Sequence, residues 1–312
     1  RRLRWARRSR RRPPGRAAAR TASPHRARPP GDEAILYQTL VGAWPHDLAP
    51  DDLEGCKTFA ERLVAWQEKA MREAKLATDW SKQNEAYETA ARELLTRLLT
   101  EPGLPLRAEI AAFADRIGPA GAANGLLQIL LKLTVPGVPD TYQGTEYWDL
   151  TLVDPDNRRP VDYPAREASL ARGETVLEAA EHWRDGAVKQ ALISTVLEER
   201  RKRAALFADG AYTPLKADGA LADDVVAFAR TLDGEAVCVI GLRNLYDKQT
   251  SFPSLAAKPE MLRECHISLP SELVGRSATE LFSGRKVALQ PKISLADALS
   301  LPVAVLSVGD AA

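Results

Sequence analysis

A chain of 312 residues, 45% hydrophobic and 27% charged, has room for two domains and a core of ordinary size. No apolar run approaches the ~18 residues of a membrane span. Three widely spaced cysteines, Cys56, Cys238 and Cys265, with no CxxC pair, argue against a disulfide framework or a zinc site and fit a reducing cytoplasm. The net charge of +1 conceals a division. Residues 1–30 hold twelve of the 43 basic residues and no acid, so residues 31–312 set 31 basic against 42 acidic side chains. Such a body repels nucleic acid and anionic lipid, so neither is an expected partner.

Residues 1–32 are rich in Arg, Pro, Ala and Gly and carry no apolar periodicity. They lack the apolar stretch of a signal peptide. Three readings stand: a basic arm for nucleic acid, a native disordered tail, and translation of a GC-rich gene out of frame. All three make the segment non-folding.

From Glu33 the chain becomes structured in pattern. Residues 34–44 form an apolar helix stopped by Pro45. Asp51 or Asp52 caps a long helix reaching about Ala77, with Phe59, Leu63, Trp66 and Ala70 at helical spacing and Glu61, Arg62, Glu68 and Lys69 on other faces. A second spans about Asn84–Leu99, with Tyr87, Ala91, Leu94, Leu95 and Leu98 inward. A third runs from about Leu106 to Ile117. A nearly all-apolar fourth, Ala120–Leu133, is stopped by Pro136-Gly137. Val138–Tyr142 is then predicted to be a short buried strand, with Gly144 turning the backbone after it. Helix, tight turn and buried strand in that order suit the closing unit of an α/β barrel. A further helix, about Val188–Ala205, places Leu192, Val196 and Leu197 inward and ends in the basic run Arg200–Arg203, where the helix dipole favours cations.

After Phe207 the period falls to two. Residues 225–229 and 236–240 flank Asp233-Gly234, a hairpin signal. Further strands are predicted at Cys265–Leu269, Ala278–Phe282, Lys286–Leu289 and Val303–Val308, with a tight turn at Ser283-Gly284. The fold class is therefore α/β plus β. Residues 33–205 hold a helical insertion and the closing strand and helices of a (β/α)8 barrel, and residues 206–312 form a small antiparallel β domain.

Barrel enzymes gather substrate groups at the C-terminal ends of their strands. That places Tyr142, Gln143, Glu146, Tyr147, Trp148 and Asp149 at a site mouth, a set suited to sugars: aromatic faces stack on pyranose rings while amides and carboxylates take hydroxyls. The competing reading makes Tyr142 and Trp148 core residues and Glu146 a paired loop carboxylate. Asp154, Asp156, Arg158, Arg159 and Asp162 form a charged loop, in which an arginine could clasp a carboxylate bidentately. Asp-x-Asp-Asn also offers hard oxygens for calcium, though without the glycine and distal glutamate of an EF-hand loop. The four histidines, His25, His46, His182 and His266, are scattered. Neither a Gly-rich phosphate loop nor a nucleophile elbow occurs.

The run Val135-Pro136-Gly137-Val138-Pro139-Asp140-Thr141-Tyr142-Gln143-Gly144-Thr145-Glu146 resembles the eighth-strand motif of the α-amylase superfamily. Its extension through Trp148-Asp149-Leu150 and Val153 to Tyr163 is similar to the maltooligosyltrehalose synthase family, as are residues 36–45, 69–75 and 210–215. The resemblance covers roughly residues 33–312. It implies a retaining intramolecular transglucosylation, in which the reducing-end α-1,4 bond of a maltooligosaccharide becomes an α,α-1,1 bond. A carboxylate nucleophile and a carboxylic acid about 5–5.5 Å apart perform such a step. In the family these acids lie on earlier strands, and the last belongs to a His-Asp motif just upstream of the region matched here. No His-Asp pair occurs in residues 1–32, and His46-Asp47 follows the Trp44-Pro45 match, in the wrong context. No catalytic residue is therefore assigned. Tyr142, Gln143, Glu146, Trp148 and Arg158 are the expected substrate-binding wall, with no cofactor and no metal. The resemblance makes the chain a C-terminal fragment, inactive and prone to aggregate by itself, with a maltooligosyltrehalose trehalohydrolase as pathway partner. A non-catalytic glucan-binding module is the alternative.

Overall fold

The computed structural model describes residues 30–246, 255 and 262–309. The arginine-rich stretch up to residue 29, with His25, lies outside them. Eight helices come first: α1 (Pro30–Ala43), α2 (Leu53–Ala74), α3 (Glu85–Thr100), α4 (Pro105–Thr134), α5 (Tyr163–Arg172), α6 (Val176–Glu181), α7 (Ala187–Lys202) and α8 (Ala204–Asp209). The onset of α1 at Pro30 is four residues earlier than the pattern predicts. Strands β1 (Ala211–Pro214), β2 (Ala217–Asp218), β3 (Val225–Leu232), β4 (Glu235–Leu242), β5 (His266–Ser268), β6 (Ser277–Glu280), β7 (Lys286–Ala288), β8 (Lys292–Ser294) and β9 (Val303–Val308) follow, with a short α9 (Leu295–Ala298) before the last.

The caps are chemical. Asp52 accepts from Gly55 N at 3.0 Å and starts α2, and Asn84 accepts from Tyr87 N at 3.2 Å and starts α3. Phe59 and Leu63 of α2, and Tyr87, Ala91, Leu95 and Leu98 of α3, are buried as the spacing predicts, whereas Trp66, Ala70 and Leu94 are half-buried.

The two predicted helices at 106–117 and 120–133 are one. Pro119 sits inside α4 without ending it. A proline removes one backbone hydrogen bond and strains a helix interior. Here packing on both sides overrides that cost: Ile110, Ala111 and Ala114 belong to one core with α1, α2 and α3, and Ala122, Leu126, Leu130 and Leu133 to a second.

That second core joins helices to sheet. Leu126, Leu130 and Leu133 of α4 and Val188, Leu192 and Val196 of α7 share it with Phe228, Val237, Val239, Val303 and Val305. Leu197, predicted inward, is exposed. The alternate residues Ala236, Cys238 and Ile240 face a third core with Ile267 and Ile293, so β4 is covered on both faces. One sheet runs β1-β3-β4-β9-β6-β7 and a smaller one β2-β5-β8. The β3–β4 turn takes φ of 47° at Asp233 and 88° at Gly234, the left-handed pair that a two-residue hairpin needs.

Arg230 of β3 is 1% exposed. Its guanidinium donates to the carbonyls of Thr134, Leu206, Phe207 and Gly210 at 2.9–3.3 Å, tying the C-terminal ends of α4 and α8 to the sheet.

The predicted strand Val138–Tyr142 is not formed. The segment has no strand partner, and Val138 is 97% exposed. Every strand pair among the described residues is antiparallel and lies within residues 211–308. A barrel strand takes its ladder from parallel neighbours on each side, and the described residues supply none. No described helix is long and apolar enough to cross a membrane.

Candidate functional site

After α4 the chain runs uncoiled to Tyr142 and then turns. Thr145 donates to the Tyr142 carbonyl through its N–H (3.1 Å) and its hydroxyl (2.7 Å). Gly144 holds φ +85°, and a Cβ there would stand 2.9 Å from Val161. The turn brings Trp148 under a helix: its ring lies against Gly125 of α4 and meets Trp183 edge-on, and its Nε1 donates to the Trp183 carbonyl at 2.5 Å. Lys189 donates to the Tyr147 carbonyl at 3.0 Å, and the Tyr147 hydroxyl donates to the Ala165 carbonyl at 3.1 Å.

A basic stripe on α2 holds the next loop. Arg62 donates to both oxygens of Asp156 at 3.0 Å and to the Leu150 carbonyl at 3.2 Å. Lys69, seven residues on, pairs with Asp154 at 3.0 Å. Burial pushes Asp156 up, but the hydrogen bonds from Arg62 and the Leu152 N–H and the charges of Arg62 and Arg159 outweigh it, so the carboxyl titrates below its usual range. The charged loop is thus an ion-pair network. Its bidentate arginine is Arg62, where the sequence pointed to Arg158 or Arg159.

Between these parts lies a cleft of about 460 Å³. Tyr142, Gln143 and Trp148 line it, with Arg62, Arg159 and Arg166. Of the remaining expected residues, Glu146 lies behind the wall, paired with Arg166 at 3.2 Å. Arg158 points into solvent beside Asp154, its side chain 73% exposed. Arg62 and Arg166 were missed as site residues. The signal for Arg62 was its seven-residue spacing from Lys69, which puts two cations on one helix face opposite an acidic loop. Arg166 gave no comparable local sign.

A second cleft of about 650 Å³ backs onto the first and shares Pro45, Trp148, Leu150 and Arg166 with it. Two histidines line it. Burial and the charge of Arg184 lower His46, against Asp115 and Asp47. Burial also lowers His182, but its hydrogen bond to Asp185 and the charges of Asp185 and Glu174 outweigh this and raise it.

Aromatic faces, guanidinium donors and an amide make the first cleft fit for a hydroxyl-rich ligand. Its two lining carboxylates are occupied locally: Asp149 accepts from the Thr151 N–H and hydroxyl, and Asp162 caps α5 through Ala165 N. Among the described residues, neither stands ready as half of an acid–nucleophile pair.

No family model matches the chain. A curated protein of Mycobacterium tuberculosis (strain ATCC 25618 / H37Rv), named "Putative maltooligosyl trehalose synthase", is 38% identical over 196 residues, 63% of this chain and 23% of that protein. The solved maltooligosyltrehalose synthase of Arthrobacter ramosus is 33% identical with a TM-score of 0.69, over 89% of this chain and 32% of that one. A structure described as a hypothetical maltooligosyl trehalose synthase of Sulfolobus tokodaii is 25% identical with a TM-score of 0.60, over 88% and 32%. The chain thus spans 23% to 32% of the length of these relatives.

Proposed function

We propose that this chain, a relative of the maltooligosyltrehalose synthases, supplies the C-terminal, reducing-end wall of an intramolecular transglucosylase. The complete catalyst converts the terminal α-1,4 bond of a maltooligosaccharide into an α,α-1,1 bond, and the chain is inactive without the parts of its relatives that it does not span. The observation carrying this reading is the cleft of Tyr142, Gln143, Trp148, Arg62 and Arg166, in a chain 38% identical over 196 residues to one of those relatives.

In this role the uncoiled segment Val138–Tyr142 is the barrel's closing strand. It acquires its ladder only when parallel neighbours flank it. The acid and the nucleophile come from those neighbours. Trp148 and Tyr142 stack on sugar rings, and Gln143 and the Arg62 guanidinium take hydroxyls. A glucose released within the pocket must turn and attack through its own anomeric hydroxyl, so walls that hold it and exclude water decide between transfer and hydrolysis. The product, carrying a trehalosyl end, is the substrate class of a maltooligosyltrehalose trehalohydrolase, and the reading places the protein in the cytoplasm.

Incubating the purified chain with maltopentaose is expected to yield no non-reducing product, while tryptophan emission shifts as the sugar is titrated to millimolar concentration. Product at the rate of a full-length relative overturns the inactive-wall reading. A silent titration overturns the sugar-binding one.

A further inference from the structure

The clefts share one cation that no motif announces. Arg166 of α5 donates to Glu146 Oε2 at 3.2 Å, to the Gly144 carbonyl at 2.6 Å and to the Asp162 carbonyl at 2.9 Å. Its guanidinium also lies 4.5 Å from the centre of the Tyr147 ring. It thus grips the turn at the left-handed Gly144 and again at Glu146, and covers the ring of the residue before Trp148. The side chain is 16% exposed, and that remainder faces both clefts. From the other side, α7 holds the same parts: Gln190 Nε2 donates to the Arg166 carbonyl at 3.2 Å, and Lys189 to the Tyr147 carbonyl.

We infer that Arg166 is the positioning residue for the sugar-facing turn, setting Tyr142, Gln143 and Trp148 in the geometry that accepts a glucan. This rests on the carbohydrate reading above and adds the group that preorganises the wall. The chemistry requires arginine. A planar five-donor fork can serve a carboxylate and two carbonyls while stacking on a ring. A lysine keeps the charge but is a point donor without a plane, so it cannot serve all four partners. Without the clamp, the turn's backbone lacks the order that binding would otherwise have to impose, and affinity falls by that ordering cost.

The test compares the full chain with its Arg166→Lys and Arg166→Ala variants, each also combined with Trp148→Phe, using maltopentaose as the probe. Both Arg166 variants are expected to keep the far-ultraviolet circular dichroism of the parent. Both should weaken maltopentaose binding about tenfold, a loss of about 1.4 kcal/mol. Their tryptophan emission should shift, and the shift should vanish when Trp148 is replaced by Phe. Adding Glu146→Gln to Arg166→Ala should weaken binding no further, because the two groups form one unit. Parental affinity in Arg166→Lys, or an emission change that persists without Trp148, overturns the inference. A parent chain that binds no maltopentaose defeats the carbohydrate reading instead, and the Trp148-dependent emission shift then decides whether the clamp exists.

Discussion

At Glu88 the chain buries a carboxylate in a cage of donors. Arg72 reaches both oxygens at 2.8 and 3.0 Å, and the Thr78 hydroxyl donates at 2.6 Å. The Arg72 hydrogen bonds, helped by Thr78, hold the group down at about 2 from its usual 4.5, against the upward push of burial. A depressed folded value means the stabilisation is complete above the unfolded value, near pH 4.5, and is lost as pH falls towards 2. Denaturant midpoints followed between pH 6 and 2 should therefore drop in the parent across that window. The Glu88→Gln variant should start lower, by about 1–3 kcal/mol, and show a flatter slope. Arg230 makes a sharper case. Its hydrogen bonds all go to carbonyls, so Arg230→Ala strips four acceptors in a dry site and should cost more than about 3 kcal/mol in urea unfolding. Residues acting on their own neighbours were legible in the sequence: a cap at Asp51 or Asp52, which Asp52 fills, and the tight turn of Asp233 and Gly234. Arg166 and Arg230 were not, because their partners lie up to 96 residues away and nothing in local spacing connects them. For Arg62, the spacing from Lys69 marks a cationic face but not the acidic loop 94 residues on that it holds.

Two glycines show how elements meet under different constraints. A Cβ placed on Gly234 would meet nothing within 4 Å, so this glycine is needed only for its φ of +88°. Gly241 of β4 has an ordinary backbone, but a Cβ there would lie 2.2 Å from Leu127 Cδ1 of α4. Gly234→Ala should cost about 1–2 kcal/mol and be relieved by Asn, which tolerates the left-handed region. Gly241→Ala should cost about 1–3 kcal/mol and be relieved by Leu127→Ala, which makes room, whereas Asn at 241 makes it worse. Thermal melts of the single and double variants distinguish the two. The sequence exposed most elements by their period, β3, β4 and β9 above all. It divided α4 because Gly118 and Pro119 together read as a stop, and only the cores on either side reveal that the helix continues. Residues 138–142 read as a strand for the opposite reason: the local pattern was right for one, but a strand exists only where partners stand beside it.

Over the whole molecule, burial sorts the chain into cores that do not follow a simple helix-then-sheet division. The helix-to-sheet core links α4, α6 and α7 with β3, β4 and β9, while α1, α2, α3 and the first half of α4 have their own. Amides of α7, β4 and β9 should therefore exchange with solvent as one slowest group, and those of α2 and α3 as a separate and faster one; native-state hydrogen exchange reads this directly. The uncoiled segment carries Val138 and Tyr142 into solvent. Sedimentation over a tenfold concentration range should accordingly show weak self-association that Val138→Lys reduces.

The helix α4, about 45 Å long, passes through both of those cores, with Pro119 between them. The first cleft straddles the same junction: Arg62 stands on the α2 side, and Trp148 leans on Gly125 beyond the proline. The helix thus works like the spine of a pair of calipers. The Arg62–Asp156 and Lys69–Asp154 pairs fasten the α2 jaw to the loop that lines the gap.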